Sequence, residues 1–150
     1  MHITAKVDYA VRAVLEIGAR GATMTGAELA SAQEIPGKFL EGILATLTKS
    51  GILASHRGPS GGYSLAKPAE DIPIADIVRA IDGPLAAVRG LPPEEITYAG
   101  PAERLRDVWI AARSGLRLAL ESVSIADLLE GTTPTPISQL LGSEGAYRRR

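Results

Sequence analysis

The stretch Arg57-Gly58-Pro59-Ser60-Gly61-Gly62-Tyr63 constrains this chain more than any other. Glycine and proline at that density force a tight reversal. The short runs on either side, Ile52–His56 and Tyr63–Ala66, can pair as a two-stranded hairpin. The hairpin directly follows a compact helical segment, and an arginine at the foot of such a finger has the reach to enter a nucleic-acid groove. The glycines also have the look of a phosphate-cradling loop, but the Gly-Lys-Ser/Thr ending of a nucleotide-binding loop is missing.

Ahead of the hairpin, residues 3–19 place Ile3, Val7, Ala10, Val11, Val14 and Leu15 on one helical face. Asp8, Arg12 and Glu16 sit four apart on the other side, and Gly18 and Gly21 mark the end of this helix. Thr25-Gly26-Ala27-Glu28 has capping-box spacing and opens a short helix to about Ala32. Pro36 pushes Ile35 out of helical geometry, so the chain breaks there. The next helix carries Leu40, Ile43, Leu44 and Leu47 as an apolar stripe and stops at Gly51.

Two short helices joined by a tight turn and followed by a hairpin predict a winged helix-turn-helix: mainly α with a small β-hairpin wing. On the second helix the outward residues are Gly37, Lys38, Phe39, Glu41, Gly42 and Thr46. A lysine there can reach phosphate or a base edge. Phe39 either lies exposed against thymine methyls and sugars or is buried; the sequence leaves both open. Lys6, Tyr9 and Arg12 of the first helix either touch DNA backbone or form an ordinary wet face.

A helix with Ile74, Ile77, Val78 and Ile81 stops at Gly83 and closes a domain over residues 1–83. Pro84, Gly90, Pro92, Pro93, Gly100 and Pro101 then predict a loop over 84–101 without regular structure. Residues 102–121 follow as a long amphipathic helix with Leu105, Val108, Trp109, Ala112, Leu116 and Ala119 in register. The first domain accounts for its own core, so this detached apolar face points to dimerisation against a second copy. Ser124-Ile125-Ala126-Asp127 caps a short helix to Gly131, which completes a dimerisation unit over 102–131. Residues 132–150, with their Thr-Pro repeats and terminal arginines, read as a mobile tail.

The net charge of −1 argues against a uniformly basic nucleic-acid binder. Residues 1–67 carry seven Lys/Arg against five Asp/Glu, and residues 68–150 carry nine against twelve. Affinity for DNA must therefore come from a few well-placed cations rather than a broad field. The absence of cysteine excludes disulfides, thiol switching and thiolate-held zinc or iron–sulfur sites. The two histidines, His2 and His56, lie far apart and form no metal-ligand spacing, so no metal is expected. No apolar run approaches bilayer length and the start lacks signal-peptide character, so a cytoplasmic protein without membrane partners is expected. No paired carboxylates, nucleophile–base spacing or cofactor loop stands out, so the chain is not read as an enzyme.

Five segments together carry a family resemblance. They are Ile3-Thr4-Ala5-Lys6-Val7-Asp8-Tyr9-Ala10-Val11-Arg12-Ala13, the spaced run from Ile35-Pro36 through Phe39-Leu40 and Ile43-Leu44 to Leu47, Gly51-Ile52-Leu53, the wing 57–63, and Ile77-Val78-Arg79-Ala80-Ile81-Asp82-Gly83. Over about residues 1–130 the chain closely resembles the Rrf-type transcriptional regulators, which include iron–sulfur and nitric-oxide sensors and a repressor of cysteine metabolism.

The resemblance implies a homodimer that binds a pseudo-palindromic operator in double-stranded DNA, and the expected role is that of a repressor. By matching positions, Lys38, Phe39 and Glu41 fall on the recognition helix. Arg57, Ser60 and Gly61 fall in a wing that enters the minor groove, and Tyr9 lies near phosphate. The helix at 102–121 crosses its twin. The sensing members hold a cluster on three cysteines in the loop before that helix. This chain has Ala87-Val88-Arg89-Gly90-Leu91-Pro92-Pro93 there, which implies a member with no cofactor. A related variant draws a carboxylate ligand from the first helix, where Asp8 lies, but also uses thiolates.

Arg89, Glu94 and Glu95 in the loop suit a small polar effector or none, and a metabolite or partner protein acting there is the expectation on regulation. The alternative reading is a winged-helix module that binds another protein without DNA. Near-neutral charge favours it and the basic wing opposes it.

Overall fold

Helix α1, Ala5–Arg20, begins where the Thr4 side chain accepts a hydrogen bond from the Val7 N–H in a computed structural model that describes residues 2–148. It buries Val7, Ala10, Ala13, Val14 and Ile17 on one face. Ile3 precedes the cap and stays exposed, so it does not join the buried stripe expected of it. Val11 and Leu15 are half-buried on its flank.

The capping box forms as the spacing requires: Thr25 accepts from the Glu28 N–H while the Glu28 carboxylate accepts from the Thr25 N–H, opening α2, Gly26–Gln33. Helix α3, Gly37–Lys49, follows Pro36 and buries Leu40, Ile43, Leu44 and Leu47. Strands β1, Leu53–His56, and β2, Gly62–Leu65, pair antiparallel from Leu53↔Leu65 to His56↔Gly62. A third extended residue joins this wing. Met24 and Tyr63 exchange backbone hydrogen bonds of 2.9 and 2.7 Å, tethering the hairpin to the turn ahead of α2.

The second half departs from the sequence reading in three ways. First, the domain does not close at Gly83. After α4, Ile74–Asp82, and α5, Leu105–Glu121, the chain returns as α6, Ile125–Glu130, which docks on α1. Ile125 is fully buried in the same core as Val14 and Leu44, and Ser124 pairs with Pro73 through flanking backbone hydrogen bonds.

Second, the 84–101 connection holds two single 3₁₀ turns, Pro93–Glu95 and Gly100–Ala102, and a tight reversal closed by Val88 and Leu91. Buried Pro93 and Ile96 pin it down.

Third, the expected tail forms a further helix, α7, Thr135–Leu141. Pro134 sits at its cap and Pro136 in its first turn, where a missing N–H costs nothing. The terminal arginines expected in that tail lie partly outside the described residues, at Arg149 and Arg150. Among the described residues no helix is long and apolar enough to cross a membrane.

Candidate nucleic-acid interface

The apolar stripe of α3 faces the core, which turns Lys38, Glu41, Gly42, Ala45 and Lys49 outward, all exposed. Lys38, Gly42, Ala45 and Lys49 recur at helical spacing and form one open stripe. Pro36 offers no side-chain cap, so the first N–H groups of α3 are open to an anion.

Phe39 is 47% exposed, which resolves the two possibilities left by the sequence in favour of a surface ring. It is held there by Tyr9: the two rings meet edge to face with centroids 5.8 Å apart. The Arg12 guanidinium lies 5.5 Å from the Tyr9 ring centroid. Arg12 also donates through Nε to the Gln33 side chain at 3.0 Å and to the Gln33 carbonyl, and pairs with Asp8 at 3.5 Å. Gln33 in turn donates to Glu16 at 2.7 Å. Arg12 is thus engaged within the fold, acting with Tyr9 as a strut under the first turn of α3. Nothing in the sequence pattern signals this ladder, because it joins residues on three different elements.

In the wing, Gly58-Pro59-Ser60-Gly61 turns with the Gly61 N–H donating to the Gly58 carbonyl at 2.9 Å. Arg57 and Ser60 are exposed at the tip. The two glycines that follow have a steric reason within the chain. A Cβ on Gly61 would lie 2.5 Å from the His56 carbonyl oxygen. One on Gly62 would lie 2.4 Å from that of Met24, at a φ of 146°. Gly61, expected as a DNA-contacting residue, therefore shapes the turn that presents Arg57 and Ser60.

Ion pairing sorts the cations. Among the described residues, Arg12, Arg20, Lys67, Arg79, Arg104, Arg113, Arg117 and Arg148 each pair with a carboxylate. Lys6, Lys38, Lys49 and Arg57 within the first 67 residues, and Arg89 and Arg106 beyond them, have no such partner among the described residues.

These features match known proteins. A family model described as Rrf2, iron-dependent transcriptional regulator, matches residues 3–131. The chain belongs to the Rrf2 family. A Mycobacterium tuberculosis protein named as an HTH-type transcriptional regulator is 44% identical over 142 residues, covering 93% of this chain and 88% of the relative. The HTH-type transcriptional regulator CymR of Bacillus subtilis is 30% identical over 134 residues, covering 88% of this chain and 92% of CymR. Among solved structures, CymR of B. subtilis aligns with a TM-score of 0.73 at 26% identity, covering 89% of this chain and 99% of that one. IscR of T. potens aligns at 0.69 and 25% identity, covering 87% and 88%. This Rrf2 chain is a winged-helix transcriptional regulator, and its family is not one of enzymes.

The residues of this Rrf2 chain do not fit an iron–sulfur cluster. It has no cysteine, and among the described residues no group of three or more His, Asp or Glu is placed to hold a metal ion. In the loop ahead of α5, Glu94 pairs with Arg113 at 2.6 Å. The Glu94 carboxyl is held below its usual range by a backbone N–H first and by Arg113 second.

Helix α5 buries no residue completely. Of the six positions read as a dimer face, Trp109, Ala112 and Leu116 line a cavity of about 500 Å³ against the 84–93 segment. Trp109 Nε1 donates to the Tyr98 hydroxyl at 3.1 Å. Leu105 and Ala119 are half-buried, and Val108 is exposed. The most open apolar stripe is rotated from the expected one and runs Val108, Ala111, Gly115, Leu118. A Cβ on Gly115 would meet nothing within 4 Å. The small-residue spacing Ala111–Gly115 is the signal that points to this face.

Proposed function

We propose that this protein is a homodimeric repressor that binds a pseudo-palindromic operator in double-stranded DNA. The observation that carries the reading is the open stripe Lys38-Gly42-Ala45-Lys49 beside a wing tipped by Arg57, with all three cations free of internal partners. Lys38 and Lys49 reach phosphates or guanine edges from the major groove, and Glu41 accepts from cytosine N4. Phe39 lies against thymine methyls or sugars. Arg57 and Ser60 enter the adjacent minor groove, Gly61 shapes the tip, and Tyr9 stands near phosphate while bracing Phe39.

Two copies join through α5. The exposed Val108, Ala111, Gly115 and Leu118 form the centre of that contact, with Leu105, Trp109, Ala112, Leu116 and Ala119 on its flank. The recognition helices then sit about one DNA turn (~34 Å), or a multiple of it, apart. The protein acts in the cytoplasm without a resident cofactor, and a small effector or partner protein reaches it through the 84–101 segment.

The test is selection of genomic fragments on the purified protein, followed by footprinting and sedimentation with and without DNA. The expected result is a dimer protecting a two-fold symmetric site. A monomer without sequence preference, or a protein that captures a protein partner and no duplex, refutes the reading.

A further inference from the structure

We infer that the cleft between α4, α5 and the 84–92 segment binds a small organic acid with a compact apolar body. The inference rests on the regulatory reading of the loop and gives its effector a chemical class. The cleft has a volume of about 260 Å³. Arg79 of α4 and Arg113 and Arg117 of α5 form one wall, and Pro84, Leu85 and Ala86 form part of the other. Of the charged groups lining it, three are guanidinium groups and only one, Glu94, is a carboxylate.

Internal pairing leaves much of this donor capacity unused. Arg79 donates to Asp76 at 3.2 Å and to Glu121, Arg117 Nε donates to Glu121 at 3.2 Å, and Arg113 pairs with Glu94 through Nη1. Each guanidinium carries five N–H donors, so several remain. Arg113 Nε is buried and has no acceptor among the described residues. A buried donor of this kind is costly to leave unpaired, and a carboxylate oxygen satisfies it with charge-assisted geometry.

The apolar half follows from the opposite wall. Pro84, Leu85, Ala86 and Ala87 also line the larger cavity that Trp109 and Leu116 close from α5. The acid's head meets the arginines and its body lies along this aliphatic segment. The cleft spans the last helix of the DNA-binding half and the exposed helix α5. A ligand bridging Arg79 to Arg113 and Arg117 fixes the angle between them, and that angle sets the separation of the two recognition helices.

The test is calorimetric titration of the full chain, at constant ionic strength, with benzoate, hexanoate, neutral benzamide and inorganic phosphate. Fluorescence of Trp109, the single tryptophan, gives a second readout. Benzoate or hexanoate is expected to bind at least tenfold tighter than benzamide and phosphate. Arg113→Gln and Arg117→Gln are each expected to weaken that binding at least tenfold. Arg117 is half-exposed, so its variant keeps the test intact if loss of the Arg113–Glu94 pair disturbs folding. Benzamide binding as well as benzoate, phosphate binding as well as either acid, no heat from either acid, or acid affinity unchanged in Arg117→Gln overturns the inference. Operator binding by the acid-free protein, measured on the same preparations, tests the DNA reading independently.

Discussion

Gly42 lies inside α3, on its exposed face, and a Cβ placed there would meet nothing within 4 Å. A glycine in a helix interior costs about 0.5–1 kcal/mol relative to alanine, and here no packing or backbone requirement within the chain offsets that cost. Gly42→Ala is therefore expected to stabilise the protein by most of that amount. For a chain of this length a change of 1 kcal/mol moves the melting temperature by about 2–4 °C, so calorimetry should show a rise of about 1–4 °C.

The same methyl projects from the centre of the Lys38–Lys49 stripe, where the DNA reading requires close backbone approach to the groove floor. Operator affinity is expected to fall about tenfold, or about 1.4 kcal/mol. The two effects have opposite sign, which separates a contact loss from general damage. A stabilised Gly42→Ala variant that binds operator as well as the parent would refute the placement of this face in the groove. A fall in melting temperature would refute the description of Gly42 as sterically free.

Arg57→Ala is expected to weaken operator binding by about 1–3 kcal/mol and relax preference at the groove it reads, in mobility shifts at fixed salt. Leu118→Asp places a charge on a side chain that is 52% exposed in the protomer, so its effect on protomer folding should stay within about 0.5 kcal/mol. Sedimentation should nevertheless show loss of the dimer. Asp127 and Glu28 complete the caps of α6 and α2, and both carboxyls are held below their usual range, first by the capping residue's backbone N–H and then by its hydroxyl. Because the folded values are lowered, their contribution is present above the ordinary carboxylate range and is lost as pH falls through the lowered values. Thermal melts between about pH 7 and pH 3 should therefore show an acid limb that flattens in Asp127→Asn.

The helix-turn-helix and wing were legible because their signals are local. The Thr25–Glu28 box, Pro36, the spacing of Leu40 to Leu47 and the glycines of the wing each act within a few residues of where they stand. What was misread depends on distant partners. Gly18 resembles a helix stop, yet it lies within α1, and a Cβ there would come 3.0 Å from Leu129 and 3.4 Å from Ile125. It is a docking notch for α6, and that purpose is invisible until the chain returns from residue 125. On α5 the expected stripe and the most open one differ, because periodicity weighs every apolar residue equally. The 84–93 segment then covers part of that stripe through Trp109 and Leu116, leaving the smaller side chains Ala111 and Gly115 in the open. Phe39 was ambiguous for the same reason, since its exposure is fixed by Tyr9 on another helix.

A near-neutral chain on DNA is coherent once the charges are sorted by partner. Several carboxylates after residue 67 are spent on arginines of their own half: Glu94 on Arg113, Glu121 on Arg79 and Arg117, Asp107 on Arg104. With a net charge of −1 the far field is weak, while within the first 67 residues Lys6, Lys38, Lys49 and Arg57 keep their charge for a ligand. These four unpaired cations of the first 67 residues make eight in a dimer. At about 0.9 counterions released per phosphate neutralised, their share of the slope of log affinity against log salt is bounded at about −7. Specific binding within that bound must draw the rest of its free energy from the shape of the α3 face and wing, which is why a single methyl on Gly42 should matter as much as a charge on Arg57.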